Sequence, residues 1–234
     1  MKLTVLGKYG PYGKPGVGAA SGYLISDGKF KILCDMGSGV MSRLLATTDI
    51  TELSGIFVSH LHYDHTSDLL PFRYRLDELK LPINVYTHKE KNNPYYDLLF
   101  KHPYINVINI DEDTVFTVDG VKISFYPMNH RMPAYGIRCD GNGSVFYTGD
   151  TMFTEEIIRG GKGCDIVLAD CSKPDVFIGA HMQAKYAFEI RNRTGATVIA
   201  THLAPDFSPE NLFAGAEGII IAEEGRTYDT EKLK

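Results

Sequence analysis

Residues 59–65, Ser-His-Leu-His-Tyr-Asp-His, hold three imidazoles and one carboxylate directly behind the short apolar run GIFVS of residues 55–59. Structural histidines are usually isolated, because each buried imidazole needs its own hydrogen-bond partner and sits poorly among others that can become charged. The density of donors therefore points to metal ligation over a polar loop. In a turn that follows a strand, His60 and His62 point to the same side by two-residue alternation, and Asp64 and His65, further round, reach a second point nearby. One short loop can thus begin two metal sites. Imidazole and carboxylate donors without thiolate suit Zn²⁺ and also accept Mn²⁺ or Fe, with zinc the default. Two such cations, roughly 3.5–4 Å apart, would activate a water and stabilise a developing oxyanion with no serine or cysteine nucleophile.

The spacing of His60, His62, Asp64 and His65 matches H-x-H-x-D-H in full, and on these residues the chain resembles the metallo-β-lactamase superfamily. The resemblance implies a further histidine, an aspartate and a final histidine, each at a strand end. His130 after VKISFYPMN, Asp150 after SVFYTG and His202 after ATVIAT fill those places. By the same resemblance His60, His62 and His130 bind one metal, Asp64, His65 and His202 the other, and Asp150 bridges them. Asp64 could also hold or accept the proton of the attacking water. Asp35, followed by Met36-Gly37-Ser38-Gly39, matches the aspartate-glycine turn that the family places beneath the metals. It would accept the second N–H of a ligand imidazole. His181 resembles the extra histidine that the ribonuclease Z-like branch keeps near the leaving group, where it would act as a general acid. His88 and His102 fill no place in the motif and read as surface or structural residues.

These residues need strands to carry them. LTVL, GYLIS, KILCD, GIFVS, PINVYT, NVINI, TVFTV and VKISFYPM read as strands in the first half of the chain. YGIRC and SVFYTGD form a hairpin about residues 140–143, and DIVLADC, ATVIATH and EGIIIA follow. Helical spacing predicts helices over residues 40–47, 67–80, 94–101, 182–193 and 208–216. The glycine-rich residues 7–22 form a long loop or hairpin tip. They are neither a Walker loop nor a GxGxxG turn, although their N–H groups and Ser21 could face a phosphate. Many antiparallel strands with helices before, between and after them predict two sheets packed face to face with helices outside, an αββα sandwich.

A length of 234 residues with no linker or repeat predicts a single hydrolase domain over 1–234. With 44% hydrophobic and 23% charged residues the chain can build a sizeable core and is neither disordered nor fibrous. No run nears the ~18 apolar residues of a membrane span, and the start MKLTVLGKYG lacks a signal-peptide pattern, so a cytoplasmic location is expected. Cys34, Cys139, Cys164 and Cys171 lack CxxC spacing and read as reduced structural thiols. The net charge of −5, without Lys/Arg clusters, argues against a nucleic-acid backbone as partner. A homodimer is a base-rate expectation.

The glycine loop, His181 and the ending THLAP resemble the ribonuclease Z/phosphodiesterase branch over residues 1–222. Members that process tRNA carry a long basic arm between the residues matching His130 and Asp150, whereas only nineteen residues, taken up by a hairpin, intervene here. The expected substrate is therefore a small or cyclic phosphodiester, with tRNA disfavoured. A thioester or lactone hydrolase of the glyoxalase II or lactonase type is the alternative enzyme. A β-lactamase proper is disfavoured because its broad-activity zinc members usually have a cysteine where Asp150 stands. A non-catalytic metal-binding protein would be missing a ligand, and none is missing.

Overall fold

The computed structural model describes residues 1–172, 179–207 and 209–233. Two seven-stranded sheets form its centre. The first has strands in the order β14 (Thr227–Asp229), β1 (Lys2–Gly7), β2 (Gly22–Asp27), β3 (Phe30–Cys34), β4 (Gly55–Phe57), β5 (Ile83–Thr87) and β6 (Ile105–Asn109). The second runs β13 (Ile219–Ile221), β12 (Thr197–Thr201), β11 (Ile166–Asp170), β10 (Gly143–Tyr147), β9 (Tyr135–Gly141), β8 (Val121–Pro127) and β7 (Val115–Val118).

Both sheets are buried on two faces, and the apolar runs divide by alternation. Ile32 and Cys34 point into the layer between the sheets, while Leu33 points outward. Ile166 and Leu168 point inward, and Val167 and Ala169 outward. The central layer joins Leu3, Ile25, Ile32 and Phe57 of one sheet to Ile123, Ile137, Val145 and Ile199 of the other. Outside the first sheet lie α1 (Val40–Thr47), α3 (Leu69–Leu79) and α4 (Pro94–Phe100), through Val40, Leu44, Phe72, Leu76 and Leu99. Outside the second lie α5 (Glu155–Gly161), α6 (Tyr186–Thr194) and α7 (Glu210–Phe213), through Ile157, Ala187, Ile190 and Phe213. This is the αββα sandwich that the strand and helix pattern predicts. The four cysteines are buried and free, as expected. No described helix is long and apolar enough to cross a membrane.

The many antiparallel strands expected are present, and they make up half of the strand pairs. Strands β3 to β6 and β10 to β13 are parallel, and only the remaining pairs are antiparallel. The reason is steric: a strand can re-enter beside its predecessor in the same direction only through a long crossover. Each parallel step here contains such a helix: α1, α3, α4, α5, α6 and α7 in turn. Three elements went unread: α5, the single turn α2 (Tyr63–Thr66), and β14, which completes the first sheet against β1. The helix expected over 182–193 starts only at Tyr186, and α7 is shorter than 208–216, with residue 208 outside the described residues.

Phe57 lies fully buried between the sheets and stacks on Phe125 at 5.8 Å. Truncation there leaves a cavity that two sheets held by hydrogen bonds cannot close. Phe57→Ala should cost about 3–5 kcal/mol, read as a fall in denaturant midpoint; a cost under about 1 kcal/mol would contradict the packing described.

Candidate metal centre

Parallel direction brings one set of strand ends to one rim. Asp35 directly follows β3 and His202 directly follows β12, while His60, His130 and Asp150 each lie three residues beyond β4, β8 and β10. Strand β8 shares the direction of β10 because both pair antiparallel with β9. His62, Asp64 and His65 continue from His60 into α2, which turns the chain so that successive donors face one point.

The structure brings all seven predicted ligand residues together, in two groups that share Asp150: His60, His62, His130 and Asp150, and Asp64, His65, His202 and Asp150. In the first group, His62 Nδ1 lies 2.9 Å from His60 Nε2 and 3.2 Å from His130 Nε2. Asp150 Oδ2 stands 3.6 Å from His60 Nε2. Its other oxygen, Oδ1, is 3.2 Å from both His65 Nε2 and His202 Nδ1. Asp64 Oδ2 is 3.6 Å from His65 Nε2 and 3.7 Å from His202 Nε2. One carboxylate thus turns one oxygen to each group.

Which ring nitrogen faces inward follows from the partner of the other. Asp35 is buried and accepts from Ser59 N–H and Ser59 Oγ at 2.8 Å, from Tyr147 Oη at 2.7 Å and from His65 Nδ1 at 2.7 Å. Since Ser59 Oγ donates to Asp35, it accepts from His60 Nδ1 at 3.0 Å. His130 Nδ1 donates to the Ala180 carbonyl at 3.0 Å, and His202 Nδ1 pairs with Ser21 Oγ at 2.9 Å. His60 and His130 therefore aim lone pairs at His62 Nδ1. A proton on His62 Nδ1 could serve only one of them, whereas a cation serves all three. Nitrogens about 2.0–2.1 Å from a tetrahedral ion lie about 3.3 Å apart, close to the spacings seen. Moreover, His65 Nε2 and Asp150 Oδ1, 3.2 Å apart, are buried and make no well-directed hydrogen bond among the described residues, a costly arrangement that an ion facing both would relieve. The residues fit divalent cations.

Electrostatics agree with that division. Burial, helped by neighbouring imidazoles, holds His60 well below the ordinary histidine value and lowers His62 and His130 too, so these rings are neutral and ready to ligate. For His65 burial also pulls downward, but the carboxylates of Asp150, Asp35 and Asp64 outweigh it and raise the ring well above its ordinary value. Burial opposes ionisation of Asp150, yet His202 and His65 hold it well below the usual carboxylate range.

His181 stands at the open side of the site. Its Nδ1 is 2.9 Å from Asp170 Oδ2 and 3.7 Å from Asp150 Oδ2, and its ring centroid is 5.4 Å from that of His130. Asp170 itself is buried and accepts from Thr151 N–H and Ser172 N–H. Sequence reading missed Asp170, although DIVLAD ends on an aspartate just as KILCD does. It also missed Ser59, Tyr147 and the role of Ser21, whose buried hydroxyl pairs with His202. The glycine loop joins β1 to β2 and closes on the same ring: a Cβ on Gly10 would lie 1.9 Å from His202 Cε1. Asp35 and His202 both adopt left-handed backbone, φ 61° and 53°. Such strain costs on the order of 1–3 kcal/mol and persists where surroundings over-determine it. His88 stacks on Tyr135 and His102 pairs with Asp77, and neither belongs to a group of donors among the described residues.

Asp35→Asn keeps the volume but brings an amide NH₂ against the Ser59, Tyr147 and His65 donors, so Zn²⁺ affinity should drop about 10–100-fold in competition with a chelator; unchanged affinity would refute its orienting role. Because His65 is raised, the metal-free protein keeps that proton at neutral pH, and a cation must displace it. Zn²⁺ titration at pH 7 should release protons, seen as heat that depends on the buffer's ionisation enthalpy, and affinity should fall as pH falls; buffer-independent heat would contradict this.

The family description "Beta-lactamase superfamily domain" matches residues 31–203. The "Probable metallo-hydrolase YhfI" of Bacillus subtilis is 28% identical over 235 residues, 95% of each chain. The crystal structure of YhfI superposes with a TM-score of 0.88 at 26% identity, covering 97% of this chain and 98% of that one. The short form of human tRNase Z gives 0.78 at 17% identity, covering 98% and 99%. A diphosphatase of the PhnP family gives 0.78 at 20%, covering 97% of both. The chain belongs to the metallo-β-lactamase superfamily and is a metallo-hydrolase, an enzyme class that works with divalent metal ions.

Proposed function

We propose that the protein is a phosphodiesterase acting on a small or cyclic phosphodiester. His60, His62 and His130 would hold one cation, Asp64, His65 and His202 the other, and Asp150 would lie between them, with Zn²⁺ the default occupant. When bound, the pair supplies a water of lowered pKa and charge stabilisation for the oxygens on phosphorus. Asp64 would orient that water and take its proton. The observation that carries the reading is His181: its Nδ1 is tied to buried Asp170 at 2.9 Å and its ring stands 5.4 Å from that of His130, beside the metal groups, where it would give a proton to a leaving oxygen. An alkoxide leaving from phosphorus needs that proton, whereas a thiolate leaving from a thioester does not. In the reaction the water oxygen bonds to phosphorus, the bond to the leaving oxygen breaks, and that oxygen takes the His181 proton.

Neighbours named as a diphosphatase and a tRNase support this choice. A tRNA substrate is disfavoured, because residues 131–149 are taken up largely by β9, β10 and their tight turn, and the net charge is −5.

Purified protein should carry about two metals per chain and hydrolyse bis-p-nitrophenyl phosphate. His181→Ala should lower kcat about 10²–10⁴-fold with little change in metal content, and Asp64→Ala should abolish turnover. Cleavage of only a thioester or lactone, with His181 dispensable, would overturn the phosphodiesterase reading in favour of a carbonyl hydrolase.

A further inference from the structure

A surface depression of about 610 Å³ lies among the turns at Asp27–Lys29, Asp119–Val121 and Gly141–Asn142, and none of the site residues lines it. A smaller one, about 310 Å³, has His181 in its wall. Its other walls include Asn129, Met152, Phe153, Met182 and Tyr186. The chain ties this pocket to the site residue by residue. Asn129 precedes His130, Phe153 lies three residues past Asp150, and Tyr186 lies five past His181. The first two segments are pinned together where Met152 N–H donates to the Asn129 carbonyl at 2.9 Å.

From this wall we infer that the pocket is a subsite for a flat aromatic ring carried by the substrate, the part of the ester that lies beside His181. Phe153 and Tyr186 stack at 4.7 Å with their planes 15° apart. Both rings pack partly on the outer core of the second sheet and keep the rest exposed, so they are held in place before any ligand arrives. Rings offer favourable faces and edges to another ring, and the thioethers of Met152 and Met182 are favourable neighbours for one. The polar side chains are few, Asn129, His181 and Gln183, as in pockets that orient a small ligand. A volume of 310 Å³ is at the lower end of the ~300–1,000 Å³ range for ligand sites. It takes one ring system and its linker, not a polymer. A nucleobase and a simple aryl group share this chemistry.

This subsite rests on the phosphodiesterase reading for the ester it serves, but binding tests it without turnover. Calorimetry on the Zn²⁺-loaded protein would compare phenyl phosphate with methyl phosphate, and adenosine monophosphate with ribose 5-phosphate. Phenyl phosphate should bind about tenfold more tightly than methyl phosphate, the effect of stacking one ring. Phe153→Leu and Tyr186→Leu keep apolar volume and remove the ring; each should erase most of that preference while leaving methyl phosphate affinity and Tm unchanged. A similar preference for adenosine monophosphate over ribose 5-phosphate assigns the pocket to a nucleobase, and its absence beside a phenyl preference assigns it to a simple aryl group. Equal affinity for phenyl and methyl phosphate, binding of neither, or leucine variants that retain the preference would overturn the subsite. Ring preference without hydrolysis of bis-p-nitrophenyl phosphate would instead leave the subsite standing and sink the phosphodiesterase reading.

Discussion

An imidazole can face a cation with only one nitrogen, and the other, when buried, must donate its proton to something. That constraint organises the rim of this protein. Asp35 takes the His65 proton and the Ser59 hydroxyl, and the hydroxyl in turn takes the His60 proton. Ala180 takes the His130 proton, and Ser21 pairs with His202. These four anchors come from four separate stretches of chain, so the directions of the inward lone pairs are set by the whole sandwich and by no single loop. Tyr147, donating to Asp35 from the second sheet, locks the two halves of the rim together at the same carboxylate.

The fold supplies what that network needs. Crossover helices make β3 to β6 of one sheet and β10 to β13 of the other parallel, and parallel strands deliver their C-terminal ends to one side. Short connections then carry polar residues over the edge while the strands stay apolar on both faces. Because the ligands arise from rigid strand ends packed at native density, their spacing is held by the core beneath them. The glycine loop completes the enclosure from above, at a position where only hydrogen fits against the His202 ring.

Like charges would make such a cluster untenable if all the rings were protonated. Burial solves this for His60, His62 and His130 by favouring their neutral forms, while three carboxylates stabilise a proton on His65. The site is thus divided electrostatically before any cation arrives, with a neutral imidazole group on one side and a carboxylate-rich group on the other. His181 stands against both groups, with its own aspartate, in the wall of a pocket lined by rings.

Much of this was legible in the chain alone, because local signals carried it. Alternating and continuous apolar runs marked thirteen of the strands, and the dense spacing of His60, His62, Asp64 and His65 marked the metal site. The resemblance built on that spacing then located His130, Asp150 and His202 at strand ends, and the structure gathers all seven. Short elements escaped: β14 is three residues whose only reason to be a strand is the free edge of β1, and α5 ends on two glycines, poor helix formers tolerated where Gly160 packs on Phe146. Strand direction escaped as well, since it depends on what lies between strands. The resemblance also marked Asp35 as an acceptor for a ligand imidazole; tertiary structure alone decided that this imidazole is that of His65, that Ser59, Ala180 and Ser21 hold the other rings, that Asp170 holds His181, and that Phe153 and Tyr186 meet beside it. Sequence determines which donors exist and on what period they fall; contacts between residues far apart in the chain arise only when packing closes the distance, and no local periodicity encodes them.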